Sequence, residues 1–193
     1  GTNYSGWQAQ KNALSIQETI EDAILRATGE RVRVTGAGRT DAGVHALAQM
    51  AHFDTTTTIP ADKISYALNL VLPPDIRIRY SKEVPEWFHA RKTAKTKHYR
   101  YVIYNDEHDC AICCFIRQPL DIAAMTKAAS HFKGEHDFAA FCAQGSTPVA
   151  TTVRTIFECT VEKVGNYISI DVCGNGFLYN MVRIIAGTLI DVG

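Results

Sequence analysis

One loop concentrates the residues best suited to chemistry. Gly36-Ala37-Gly38-Arg39-Thr40-Asp41-Ala42-Gly43-Val44-His45 sets three glycines around an arginine and an aspartate. Glycine permits backbone angles that other residues resist, and it lets a substrate approach the main chain closely. An aspartate presented there can act as nucleophile, general base or metal ligand. It can equally fold onto its own backbone in an Asx-turn. The glycine spacing fits neither a Walker loop nor a dinucleotide fingerprint. With Asp41, the nearby His45, His52 and Asp54 could form the metal site of an RNA hydrolase. Ligand spacing disfavours that reading, because His-x6-His is not a pattern metal sites use, and these three are read as structural.

A second feature is a stripe of base. Residues 87–105 contain no acid but carry Arg91, Lys92, Lys95, Lys97 and Arg100, with His89 and His98. Tyr99, Tyr101 and Tyr104 are interleaved at its end. Cations beside aromatic rings suit phosphate contacts next to stacking surfaces. A charged edge strand that deters aggregation would look the same. Formal net charge is zero, so the global balance gives no support for a nucleic-acid partner. Of six cysteines, Cys110, Cys113 and Cys114 cluster. The Cys110-x-x-Cys113 pair lacks a second pair at ligand spacing, so reduced thiols are favoured over a zinc site. No apolar run reaches the roughly 20 residues that span a bilayer, and no secretory signal is seen. The expected compartment is the cytoplasm, with no membrane partner.

The elements that must position these residues follow from periodicity and caps. Ser15-x-x-Glu18 is a capping box, followed by Ile16, Ile20, Ala23, Ile24 and Ala27 at helical spacing and closed by Gly29. Residues 31–35 and 48–54 read as strands flanking the glycine loop. Pro60 starts a helix burying Ile64, Ala67, Leu68 and Val71, stopped by Pro73-Pro74. Residues 75–84 and 97–104 read as strands. Residues 105–119 read as a loop, and Asp121 caps a helix to about His131. A hairpin turns at Gly165-Asn166. Its expected inward residues are Thr155, Phe157, Cys159 and Val161, then Ile168, Ile170 and Val172. Met181, Ile184, Ile185 and Leu189 recur at helical spacing. Few βαβ units are evident, which favours antiparallel α+β over a doubly wound sheet.

These residues resemble a known family. The loop from Gly36 to Ala46 is similar to the signature of the tRNA pseudouridine synthase A family. Asn3-Tyr4-Ser5-Gly6-Trp7-Gln8-x-Gln10 and Asn69-Leu70-x-Leu72-Pro73-x-Asp75-Ile76 resemble two further segments. Phe88-His89-Ala90-Arg91 with Ala94-Lys95-x-Lys97-x-Tyr99-Arg100-Tyr101 resembles the second motif. Gly134-Glu135-His136-Asp137-Phe138 and Gly174-Asn175-Gly176-Phe177-Leu178-Tyr179-Asn180-Met181-Val182-Arg183 resemble the last two. The motifs span nearly the whole chain in the family's order.

The resemblance implies that uridine in tRNA is isomerised to pseudouridine: the bond from N1 to C1′ is broken, the base is turned, and a bond from C5 to C1′ is made. Attack by a carboxylate on C1′, sugar deprotonation to a glycal, and addition at C6 remain open routes. Each needs an ionised carboxylate shielded from bulk water beside a flipped nucleotide. The implied roles are Asp41 as that carboxylate, Arg183 as its buried ion-pair partner, and Tyr99 as the ring stacked on the base and a helper in removing the C5 proton. Arg39 would fill the space the base leaves, and Leu178 would floor the uracil pocket. Arg91, Lys92, Lys95, Lys97 and Arg100 would line the cleft and meet RNA. No cofactor and no metal is implied.

The implied fold is the pseudouridine synthase fold, α+β, with two ferredoxin-like halves of mainly antiparallel sheet joined around a central catalytic cleft. The halves are expected at residues 1–105 and 106–193. The family acts on the 3′ side of the anticodon loop and the adjoining stem as a homodimer, and its chains extend beyond both ends of this one. A strand is therefore expected before Gly1, and helix and strand after Gly193. An RNA-binding module without catalysis is the other alternative, disfavoured by the combined presence of Arg39, Asp41, Tyr99 and Arg183.

Overall fold

Ser15 starts the first helix as its capping box requires. In the computed structural model, which describes residues 1–106, 113–145 and 149–193, helix α1 spans Ile16–Thr28. The Ser15 hydroxyl accepts from the Glu18 amide and donates to the Glu18 carboxylate. Gly29 ends the helix at φ 78°, its N–H returning to the Leu25 carbonyl, a conformation that suits glycine at a helix C-terminus.

The chain divides into two units, Gly1–Ala94 and Lys95–Gly193. In the first, α1 and α2 (Ile64–Asn69) pack on a core of Trp7, Ile20, Ile24, Val34, Ile64 and Leu68. Its regular sheet is short: β1 (Thr35–Gly36) pairs antiparallel with β2 (Ala51–His52). The longer strands expected over residues 31–35 and 48–54 are reduced to these two pairs, and residues 75–84 form no ladder. The last segment is nonetheless held. The Asn69 amide donates to the Ile78 carbonyl and accepts from the Ile78 N–H, while Ile76 and Ile78 pack on the core. A side chain here supplies what a neighbouring strand would have supplied.

The second unit carries a five-stranded sheet in the order β4-β3-β7-β6-β5. Strands β3 (Lys97–Asn105), β5 (Gly134–Asp137), β6 (Val153–Val164) and β7 (Tyr167–Gly174) pair antiparallel, and β4 (Cys114–Ile116) runs parallel to β3. Helices α3 (Ile122–Ser130) and α4 (Met181–Val192) cover one face. Among the described residues the architecture is α+β with antiparallel and mixed sheets and no closed barrel. Strand β3 belongs to this unit rather than to the first, because it pairs with β7 from Lys97↔Gly174 to Tyr104↔Tyr167. The division into compact units thus falls between Ala94 and Lys95, before β3.

The hairpin turns as expected, and Ile168, Ile170 and Val172 are fully buried. Strand β6 differs. Its register with β7 shifts between Ile156 and Glu158, and one extra residue reverses the side-chain alternation. Ile156 therefore points inward at 1% exposure while Phe157 is 48% exposed. Beyond the bulge Cys159 is buried and Val161 packs on the core, as the period-2 reading required. Asp121 caps α3 through the Ala124 amide. No helix among the described residues is long and apolar enough to cross a membrane. Cys110 lies outside the described residues.

Candidate active site

The glycine loop is held by main-chain bonds to its neighbours. Ala37 N–H donates to the Met50 carbonyl at 2.8 Å, and Trp7 N–H donates to the Thr40 carbonyl at 2.9 Å. The Gln49 amide donates to the Gly38 carbonyl, and Val44 N–H closes a turn onto the Asp41 carbonyl. Two glycines are required by close approach. A Cβ on Gly36 would stand 2.6 Å from the Trp7 ring, and one on Gly6, at φ 88°, would stand 2.4 Å from the Thr40 carbonyl oxygen. The segment from Asn3 to Gln10 is therefore the support against which the loop is moulded.

The loop opens onto a concavity of about 330 Å³ lined by Ser5, Gln8, Gln10, Arg39, Thr40 and Asp41. That volume lies at the low end of the range for small-ligand pockets. Asp41 and Arg39 are both exposed on its rim. Within the first unit the Asp41 carboxylate makes no hydrogen bond, so the Asx-turn alternative is not realised. A carboxylate presented without a partner on a fixed backbone is available to a substrate. The expectation that Asp41 sits on a buried loop is not met in this unit, because the turn carries it outward.

His45, His52 and Asp54 do not gather round it. His45 Nε2 lies 3.3 Å from the Thr2 hydroxyl, and His52 Nδ1 accepts from the Ala90 amide while its ring meets Phe88 and His89. Among the described residues no three His, Cys, Asp or Glu side chains converge as a metal site. The Phe88–Arg91 motif is a tight turn: His89 Nδ1 accepts from the amides of Arg91 and Lys92, which leaves both cationic side chains exposed.

In the second unit, strand alternation sorts the basic stripe. Lys97, Tyr99, Tyr101 and Ile103 share the face that buries Ile103. His98 and Arg100 take the opposite face, where both bond to the Asp171 carboxylate at 3.0 and 2.8 Å. That bond pushes the Arg100 pKa up. Arg100 thus does not share the face of Tyr99, as a single lined cleft would have required. The Tyr99 ring is half-buried and meets Phe177 edge-on at 5.0 Å.

The last motif places two further candidates. Asn175 clamps β6, its N–H donating to the Thr155 carbonyl and its side chain accepting from the Thr155 amide. Leu178 is 6% exposed within the core, and its carbonyl accepts from Met181 N–H. Asn180 takes the left-handed conformation at φ 56° and its carbonyl accepts from Ile184 as α4 begins. Asparagine tolerates that region better than most residues. Met181, Ile185, Ala186 and Leu189 form the buried stripe of α4, so Arg183, about 200° round from Met181 at the helical period, is exposed. Helical geometry turns it away from that buried stripe. Its positive charge is felt at Tyr101, where it opposes the rise in pKa caused first by burial and then by the bond to Cys114.

Comparison with known proteins gives the family. A family model described as tRNA pseudouridine synthase matches residues 1–91 and 128–193. A tRNA pseudouridine synthase A of Ruminiclostridium cellulolyticum is 59% identical over 100% of this chain and 80% of its own. Proteins of the same name from Thermoanaerobacter sp. (strain X514) and Acetivibrio thermocellus are each 52% identical, with the same coverage. The α+β architecture accords with the pseudouridine synthase fold. With a glycine-moulded aspartate loop, motifs along both units and identity over its full length, this chain belongs to the tRNA pseudouridine synthase family, a family of isomerases.

Proposed function

We propose that the chain isomerises uridine to pseudouridine in the anticodon arm of tRNA, on the 3′ side of the loop and the adjoining stem, with the Asp41 carboxylate acting on a flipped nucleotide. The observation that carries this reading is the loop itself: an unpartnered Asp41 beside Arg39, on a backbone fixed by Trp7, Met50 and Gln49, at the mouth of a concavity. A rigid support matters because a nucleophile or base must be held in near-attack geometry.

The proposed roles follow the chemistry of each side chain. Arg39 takes the space left by the flipped base. Tyr99 stacks on the uracil, and its hydroxyl takes part in removing the C5 proton. Leu178 gives the base an apolar floor. Arg183 orients and charges the Asp41 carboxylate in the working complex, where RNA displaces water from it. Arg91, Lys92, Lys95, Lys97 and Arg100 contact phosphates. Lys97 shares a face with Tyr99, whereas Arg100 must first be released from Asp171 or contact RNA from the opposite face of the sheet.

The enzyme works in the cytoplasm as a homodimer. A dimer reconciles zero net charge with RNA binding, since two local basic stripes can form one groove. No cofactor enters the reaction.

The test is to incubate unmodified tRNA transcripts with the enzyme and map pseudouridine by carbodiimide-stop primer extension. Stops confined to the 3′ side of the anticodon loop and adjoining stem are expected. Pseudouridine found only elsewhere in the tRNA would contradict the proposed target while leaving the isomerase assignment intact.

A further inference from the structure

Beside the Asp41 concavity lies a second, smaller one that no role above explains. It has a volume of about 120 Å³ and is lined by Arg33, Arg39 and Arg91, with Gln8 and Gln17 and a floor of Trp7. Arg39 borders both concavities. Three guanidinium groups around one small polar space repel one another unless an anion joins them. The first unit supplies little compensation. Arg33 lies 3.6 Å from Glu21, but that carboxylate also accepts from the Val34 N–H and the Gln17 amide. Within this unit neither Arg39 nor Arg91 has a carboxylate partner.

The walls are fixed although the arginines are exposed. Gln17 is 4% exposed and fully engaged: its amide donates to Glu21 and to the Val34 carbonyl, and its carbonyl accepts from Ala9 N–H. Trp7 is 5% exposed. Arg91 is presented by the turn around His89. A volume well under the roughly 300 Å³ at which small-ligand pockets begin suits a single oxyanion and is too small for a nucleoside. Planar guanidinium groups are the side chains best matched to phosphate oxygens.

We propose that Arg33, Arg39 and Arg91 hold one backbone phosphodiester of the bound RNA close to the flipped nucleotide. This rests on the proposed action on tRNA and names a positioning residue, Arg33, that has no place in the reaction scheme. Because Arg39 borders both concavities, the held phosphate sets the register in which the target uridine meets Asp41.

The test compares wild type with Arg33→Gln, Arg91→Gln, the double variant and Arg31→Gln, a charge control on the same segment that does not line the pocket. Fold is checked by circular dichroism. Kd for tRNA is measured across a salt series, with single-turnover tritium release at saturating enzyme. The proposal predicts about tenfold weaker binding at low salt for each pocket variant, the lower end for a hydrogen bond to a charged group. It predicts a slope of log Kd against log salt reduced by about 1, with the double variant losing no more slope than one phosphate accounts for. The rate at saturation falls in Arg33→Gln and Arg91→Gln, because the register of the target uridine is lost, and Arg31→Gln changes neither slope nor rate. A wild-type slope in folded Arg33→Gln, or a loss of about 2 in the double variant, would overturn it. So would a rise in urea midpoint on adding inorganic phosphate to wild type that Arg33→Gln loses while its tRNA slope is unchanged, which assigns the pocket to a free oxyanion. The slopes are read from binding alone, so a wild type that bound tRNA but released no tritium would overturn the proposed reaction while the slopes still decided the pocket.

Discussion

Replacing Gly6 with alanine should disable the enzyme from outside the Asp41 loop. Gly6 sits at φ 88°, and a Cβ there would lie 2.4 Å from the Thr40 carbonyl oxygen, 3.1 Å from the Asp41 carbonyl carbon and 3.2 Å from the Ala42 nitrogen. All three are backbone atoms and cannot swing away as a side chain would. Ordinary contact requires the Thr40 carbonyl to retreat by about 1 Å, which stretches its 2.9 Å bond from Trp7 N–H. The left-handed conformation costs a non-glycine residue roughly 1–2 kcal/mol. A lost hydrogen bond adds about 1 kcal/mol, so Gly6→Ala should destabilise by about 2–3 kcal/mol. Asp41 follows the carbonyl it is joined to, and a misplacement of about 1 Å can cost on the order of 100-fold in rate. The control is Gly29→Ala, which has a similar φ of 78° but open space around its Cβ. It should cost only the conformational term of roughly 1–2 kcal/mol with an unchanged rate. Urea midpoints and tritium release at a temperature where both variants are folded read the two quantities separately. A Gly6→Ala protein matching Gly29→Ala in both would refute the reasoning that the Asn3–Gln10 segment moulds the loop.

Other perturbations probe the supporting structure. Ser15→Ala removes the cap of α1 and should lower stability by about 1 kcal/mol, read as a shift in urea midpoint; no shift would mean that the Glu18 contacts are not sustained in solution. Leu189→Ala, fully buried in the second unit, should cost about 2–5 kcal/mol, measured the same way. Tyr4 has its pKa pushed up to about 12 from 10.0 by burial and then by its hydrogen bond to Asp75. A folded-state pKa above the unfolded one stabilises the fold below pH 10 and loses that contribution as pH rises to about 12. Tyr4→Phe should therefore flatten the alkaline limb of stability against pH, and ionisation of every tyrosine near pH 10 in the folded protein would contradict it. Burial likewise pushes the Cys159 thiol up to about 11, so mass spectrometry after brief alkylation at neutral pH should find Cys159 unmodified while Cys173 reacts.

Local chemistry made several elements legible in the sequence. The cap at Ser15, the stop at Gly29, the cap at Asp121 and the turn at Gly165-Asn166 each satisfy orphan backbone groups by rules that need no tertiary information. Pairing was less legible. Residues 75–84 alternate like a strand, yet Asn69 takes the role of the partner, and no local pattern announces that. Strand β4 is three residues long and gains its identity only by lying parallel to β3. The bulge at Phe157 reversed one stretch of alternation that composition could not distinguish from a regular strand.

The site divides in the same way. The glycine loop around Asp41 was readable from its composition: Gly36 leaves room for the Trp7 ring, and Gly43 takes a left-handed φ of 79°. The exposure of Arg183 and the separation of Arg100 from Tyr99 follow from helical and strand periodicity. Arg33 carried no signal: an exposed arginine beside a short strand looks like any solvated position until the fold brings it to Arg39 and Arg91.

In the proposed reaction the Asp41 carboxylate performs the isomerisation. Its most direct test counts tritium released from tRNA labelled at C5 of uridine, using wild type, Asp41→Asn and Asp41→Glu in chelator. Asp41 is exposed and makes no hydrogen bond within its unit, so Asp41→Asn should fold and bind tRNA as wild type does. Release is expected from wild type, none from Asp41→Asn, and little from Asp41→Glu, whose carboxylate is displaced by one methylene. Release by Asp41→Asn at a rate near wild type would contradict it.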